Sequence, residues 1–194
     1  HATPQLRKYI SFLGDLWGLL ETDWVTGNTH LCYSRKYGAT SDDWTGGGTI
    51  LTANAASQGA RVWDGCIHKG KIYALTNAPQ NAVETRYGIL NSADAITWAD
   101  VSGTGFPDAA TDDWIPQAVA RRNNFDDDYG KLLDFGNTLL AAMFADPAAP
   151  DAPSAAVRIY KSTDEGVNWT SVTSVPSASG PMALVSWYNR AGDI

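Results

Sequence analysis

Short apolar runs alternate with polar stretches along the chain, and three segments share one layout. They are Leu13-Gly-Asp-Leu-Trp-Gly-Leu-Leu20, His68-Lys-Gly-Lys-Ile-Tyr-Ala-Leu-Thr76 and Asp134-Phe-Gly-Asn-Thr-Leu-Leu-Ala-Ala-Met143. In each, a turn containing glycine precedes an apolar run, which predicts a tight hairpin leading into a buried strand. A polar stretch, a second apolar strand and a tryptophan follow: residues 30–34 lead to Trp44, residues 87–92 to Trp98 and residues 157–162 to Trp169. Gly14, Gly70 and Gly136 align as the turn glycines. The spacing is irregular but the order of elements is constant, which marks internal repetition.

A four-strand unit of this size matches a propeller blade. The expected fold is all-β, a β-propeller of four-stranded antiparallel blades. Three blades fall roughly at 9–52, 61–102 and 129–175, and a fourth starts at 181–194, where Pro181-Met-Ala-Leu-Val-Ser-Trp-Tyr188 reads as an inner strand. Propellers close with about four to eight blades. The chain is therefore expected to be a fragment of a longer polypeptide or to close by assembling with copies of itself. Residues 4–20 carry a competing pattern, because Ile10, Leu13, Trp17 and Leu20 lie at near-helical spacing. Gly14 and Gly18 tip that segment toward strand.

The 194 residues are 44% hydrophobic and only 18% charged, with 18 glycines and 8 tryptophans. That mixture suits β structure with many tight turns and large packing side chains. The net charge of −7, with Arg121-Arg122 as the densest basic pair, argues against nucleic acid as the main partner, because phosphate binding needs a basic stripe. No run approaches the roughly 18 apolar residues of a membrane-spanning helix. Cys32 and Cys66 read as buried free thiols rather than a disulfide framework. Without a C-x-x-C pair, neither a zinc knuckle nor a haem attachment site is indicated.

Ser162-Thr-Asp164-Glu-Gly166-Val-Asn-Trp169 resembles the Asp-box, or bacterial neuraminidase repeat, Ser-x-Asp-x-Gly-x-Thr-Trp, with Asn168 in place of threonine. Ser92-Ala-Asp94-Ala-Ile-Thr-Trp98 is a shorter copy without the glycine, and residues 34–44 a poor third. The physical roles are structural. The aspartate accepts backbone amides, the glycine supplies positive φ, and the tryptophan packs across the hairpin. The resemblance implies a sialidase-like propeller in which Ser162, Asp164, Gly166, Trp169, Ser92, Asp94 and Trp98 build turns between third and fourth strands, opposite the ligand face. Asn168-Trp-Thr170 is also a glycosylation sequon, poorly placed beside a packed tryptophan.

Function is then expected from loops on the other face. They comprise residues 21–30, 77–86 and 146–153, together with blade connections containing Arg61-Val-Trp-Asp64 and residues 103–130. Tryptophan beside carboxylate suits sugar, since the ring stacks on a pyranose and the carboxylate accepts hydroxyl protons. Asp23-Trp24, Trp63-Asp64 and Asp113-Trp114 have this form. The ligand-binding candidates are Asp23, Trp24, Arg61, Trp63, Trp114 and Arg121, against the alternative that the tryptophans seal blade to blade. A glycosidase would need two carboxylates about 5–9.5 Å apart. Asp64 and Asp113 are the candidates, each expected just before an inner strand. The Phe/Tyr-Arg-Ile-Pro motif of true sialidases is absent. Asp126 and Asp128 offer a weak calcium site that lacks a distal bidentate glutamate, and no other cofactor is indicated.

The sequence reading is an extracellular, cell-surface or virion propeller module that binds glycan or protein and is non-catalytic in this chain. The alternatives are part of a glycoside hydrolase propeller, sialidase-like or xyloglucanase-like, and a purely structural component of a phage or surface assembly.

Overall fold

The computed structural model describes residues 4–22, 31–38, 44–52, 61–79, 85–106, 130–145 and 156–176. They form thirteen strands in three antiparallel sheets, and no helix occurs among them. The first sheet holds β1 (Pro4–Phe12), β2 (Asp15–Thr22), β3 (Leu31–Tyr37), β4 (Trp44–Thr45) and β5 (Thr49–Thr52). The second holds β6 (Arg61–His68), β7 (Lys71–Pro79), β8 (Thr85–Ser92) and β9 (Ala99–Asp100). The third holds β10 (Gly130–Phe135), β11 (Thr138–Ala145), β12 (Ala156–Ser162) and β13 (Thr170–Pro176). Each sheet is a meander in chain order, and β6 lies between β1 and β10. These are propeller blades with their first strands innermost. The expected start of a fourth blade, residues 181–194, lies outside the described residues.

The helical pattern over residues 4–20 is overridden by a hairpin. Phe12 pairs with Asp15 across Leu13-Gly14, and both turn residues have positive φ, 52° and 81°. Lys69-Gly70 repeats this geometry at 46° and 75°. Two left-handed central residues make the turn type I′, whose twist matches the flanking strands. The third hairpin differs. Phe135 pairs with Thr138 across Gly136-Asn137, so Gly136 is the first turn residue, with φ 65°. A positive φ at the first position alone is the type II′ arrangement, which wants glycine there. The structural equivalent of Gly14 and Gly70 is therefore Asn137, and the alignment of all three glycines is wrong by one residue.

The fourth strand of the first blade is split. β4 and β5 both pair with β3, and Gly46-Gly47-Gly48 runs between them. A Cβ on Gly48 would stand 1.7 Å from the carbonyl oxygen of Ile96 in the second blade, so glycine is required at this close approach.

Two cores fill the spaces between blades. Ile10, Phe12, Trp17 and Leu19 meet Val62, Ile72 and Ala74 between the first and second. Trp63, Tyr73 and Leu75 meet Leu132, Leu139, Ala141, Met143 and Tyr160 between the second and third. Successive strand residues point to opposite faces, so the strands of the middle blade supply both cores: Val62, Ile72 and Leu90 to one, Trp63, Tyr73 and Ile89 to the other.

Candidate functional site

The inner strands β1, β6 and β10 begin at the same end of the blades where β2, β7 and β11 finish. Charged side chains gather at this leading end. Arg7 forms an ion pair with Glu21, and Lys8 Nζ lies 2.8 Å from Asp64 Oδ1. Glu21 and Asp64 are buried, whereas the Lys8 side chain is 42% exposed.

Each carboxylate also binds the main chain of the next blade. Glu21 Oε2 accepts the Val62 amide at 3.3 Å, and Asp64 Oδ2 accepts the Leu132 amide at 3.2 Å. One oxygen thus holds a cation of the first blade and the other holds the following inner strand. Burying a carboxylate is costly unless it is paired and hydrogen-bonded, and both conditions are met here.

Backbone irregularities aim these groups. The β1–β2 register shifts between Leu6 and Lys8, and the β6–β7 register shifts between Val62 and Asp64. Arg7 and Trp63 are the extra residues of two equivalent β-bulges, which bend a strand and redirect its side chains. The β10–β11 pairing is regular. At its start, a Cβ on Gly130 would stand 2.7 Å from Leu75 Cδ2 and 3.0 Å from Trp63 Cβ.

Asp64, Cys66 and His68 follow one another on one face of β6. Burial pushes the Cys66 thiol well above its ordinary pKa, and the nearby Asp64 and Asp134 charges add to this, so it is no nucleophile at neutral pH. His68 is buried, with Nδ1 2.7 Å from Asp134 Oδ1 and its ring edge-on to Tyr73. The seam between the second and third blades is therefore closed by Asp64 at one end and His68 at the other. Both cysteines are free thiols.

The Ser-x-Asp turns lie at the trailing end, away from these charges. Asp94 Oδ1 accepts from Ser92 Oγ at 2.9 Å and from the Ile96 and Thr97 amides at 2.8 and 2.7 Å. Asp164 accepts from Ser162 Oγ at 2.8 Å, from the Asn168 amide at 2.9 Å and from Asn168 Nδ2 at 2.7 Å. These bonds hold both carboxyls down to a pKa of about 2, led by the Thr97 amide for Asp94 and the Asn168 side chain for Asp164. Ala95, at φ 59°, is the counterpart of Glu165 at 62°, and the shorter turn lacks glycine because, being one residue shorter, it has no second left-handed position like that of Gly166 at 98°.

The tryptophans of these turns reach back to the preceding blade. Trp98 Nε1 donates to Ser34 Oγ at 3.2 Å, and Trp169 Nε1 lies 3.4 Å from Val101 O and 3.0 Å from Gly166 O. Main-chain bonds from Gly103 to Gly166 O and from Thr104 to Val167 O strengthen the second junction. The turns fasten blade to blade as well as closing hairpins.

Among the candidates read from sequence, Asp64 is at the leading end but inside β6 rather than before it, and both its oxygens are engaged. Trp63 is buried in the core between the second and third blades. Arg61 opens β6, opposite Asn77. Asp23, Trp24, Asp113, Trp114, Arg121, Asp126 and Asp128 lie outside the described residues. Arg7, Lys8 and Glu21 were missed. The signal for Glu21 was a lone acid directly after Trp17-Gly-Leu-Leu20, since a charge ending a buried strand needs a partner.

No family model matches the chain, and no curated protein matches it significantly. Solved structures do. An α-L-arabinanase from Penicillium chrysogenum, complexed with arabinobiose, aligns at 14% identity over 94% of this chain and 53% of its own, with a TM-score of 0.56. An α-L-arabinofuranosidase from Fusarium graminearum, in complex with an iminosugar inhibitor, aligns at 13% identity over 93% of this chain and 51% of its own, with a TM-score of 0.50. Identity this low speaks to fold rather than activity. The chain has the β-propeller fold of these glycoside hydrolases and spans about half their length.

Proposed function

We propose that this chain is a glycan-binding propeller module, non-catalytic by itself, that receives sugar at the leading end of its inner strands. The observation carrying this reading is the engagement of Asp64. It holds Lys8 with one oxygen and the Leu132 amide with the other, which makes it a clamp rather than a free acid or nucleophile. Glu21 is committed in the same way. The half-exposed Lys8 amine then borders the mouth as a donor for sugar hydroxyls. Trp24 and Trp114, with Asp23, Arg61 and Arg121, are the proposed stacking and polar contacts.

The second reading is a part of a catalytic glycoside hydrolase propeller, favoured by the fold likeness to an arabinanase and an arabinofuranosidase. Relation to the Asp-box group in particular is supported by the two Ser-x-Asp turns. Placement on a secreted, surface or virion assembly, and calcium at Asp126 and Asp128, belong to the same proposal.

Binding to immobilised arabino-oligosaccharides and other glycans, beside hydrolysis of an aryl-glycoside panel, separates the readings. Binding without turnover, abolished by Trp24→Ala or Trp114→Ala, is expected. Turnover that disappears with Asp113→Asn, while the protein stays folded, would establish the hydrolase instead.

A further inference from the structure

The residue just before the two-residue turn of each inner hairpin is an equivalent position in the three blades. It is Phe12, which pairs with Asp15; His68, which pairs with Lys71; and Phe135, which pairs with Thr138. Phe12 is buried in the core between the first and second blades. His68 is wholly buried at the seam between the second and third. A titratable ring thus stands where the repeat otherwise places phenylalanine. Burying it is costly unless its polar atoms are paired.

One of the two ring nitrogens is paired. Nδ1 lies 2.7 Å from Asp134 Oδ1, across the seam on β10. Nε2 is buried and has no hydrogen-bond partner among the described residues. In the neutral ring, Nδ1–H donates to the carboxylate and Nε2 keeps an unfilled lone pair. A second proton would set a donor on Nε2 with nothing to accept it, and a charge on a ring that water does not reach.

The neighbouring groups do not offset this. Asp134 attracts a charged ring, but its side chain is 41% exposed and already holds the neutral one, so solvent screens the gain. Glu165, on the turn after β12, is bound by Lys71 Nζ at 2.9 Å, and that bond holds its carboxyl below the ordinary pKa. Lys69 and Lys71 bring two positive charges to the same hairpin. Tyr73 meets the ring edge-on and Cys66 precedes it on the same face of β6, and burial raises the pKa of both, which keeps them uncharged. Asp64, at the far end of that face, is taken by Lys8 and the Leu132 amide.

We propose that His68 is a proton-operated latch on the seam between the second and third blades, closed while the ring is neutral and released when it is protonated. The charged ring reaches water for its Nε2–H by parting the β6–β7 hairpin from β10. The junction between the first and second blades has Phe12 and Trp17 at the equivalent end and does not respond to the same proton.

The two thiols report on the two junctions. Cys66 packs against the core between the second and third blades, and Cys32 is buried in the core between the first and second. The test is labelling with an aromatic disulfide that reacts with thiols in mild acid, from about pH 7.5 to about pH 5, across the ordinary histidine range. Each rate is divided by that of the urea-unfolded chain at the same pH. This window lies above the range in which Asp94 and Asp164 take up protons. The expected result is a Cys66 rate that rises by up to about tenfold per pH unit, the limit for one linked proton, while the Cys32 rate stays level. His68→Phe restores the residue of the repeat and should abolish the rise with near-ultraviolet circular dichroism retained. Asp134→Asn keeps an acceptor but removes the charge, and should move the rise to higher pH. A Cys66 rate independent of pH in the parent, the same rise in His68→Phe, or a rise left in place by Asp134→Asn overturns the proposal.

Discussion

Lys8 and Asp64 occupy the same position in two successive blades, pairing with the equivalent Leu19 and Leu75, and they join to each other at 2.8 Å. One repeat position is thus cation in the first blade and anion in the second. Because Asp64 also takes the Leu132 amide, this pair ties three inner strands together.

Removing the clamp is expected to be costly. Asp64→Ala leaves the Leu132 amide without its acceptor and should lose about 1–3 kcal/mol of stability. Asp64→Asn keeps an acceptor and should lose less. The Lys8 side chain is largely solvated, so a double-mutant cycle with Lys8→Ala should show a coupling of only about 0.2–1 kcal/mol. Urea unfolding of the parent and these four variants checks the ordering.

Acid should loosen the blade junctions through the turns. Asp94 and Asp164 titrate at about 2 in the folded chain, below the usual aspartate value of about 3.9. A depressed folded pKa contributes stability that is present above the unfolded value and lost as pH falls through the folded one. Thermal midpoints should therefore drop between about pH 4 and pH 2. Asp94→Asn combined with Asp164→Asn should flatten that part of the profile.

The first hairpin is open to improvement. Leu13 holds φ 52° on an exposed turn, a conformation that disfavours branched apolar side chains and suits asparagine before glycine. Leu13→Asn should raise stability by about 0.5–1 kcal/mol. Gly136→Ala should do the opposite by at least as much, because its φ of 65° is left-handed. Denaturant midpoints of both variants settle the signs.

Gly103→Ala is expected to break a junction outright. Its Cβ would stand 2.1 Å from the Val167 carbonyl oxygen, and the Gly103 amide bonds Gly166 O. Backbone cannot yield as a flexible side chain does. Selective hydrogen exchange at Gly103, Thr104 and Trp169 should appear before global unfolding does.

The blades were legible because their hairpins announce themselves. Glycine turns before apolar runs located β2, β7 and β11, and Ser-x-Asp followed by tryptophan located the turns after β8 and β12. Those signals are local, since a positive φ or a carboxylate capping its own turn is set by residues a few positions apart. The register of the third hairpin escaped, because whether glycine stands first or second in a two-residue turn depends on which strands pair.

Sequence by itself determined the all-β class, the repeat and the chemistry of the turns, through local steric and hydrogen-bonding preferences. Tertiary structure decided what the charges do. Nothing near Asp64 in the chain distinguishes a catalytic acid from a clamp, because its partners Lys8 and Leu132 are distant in sequence and meet it only when three inner strands come side by side.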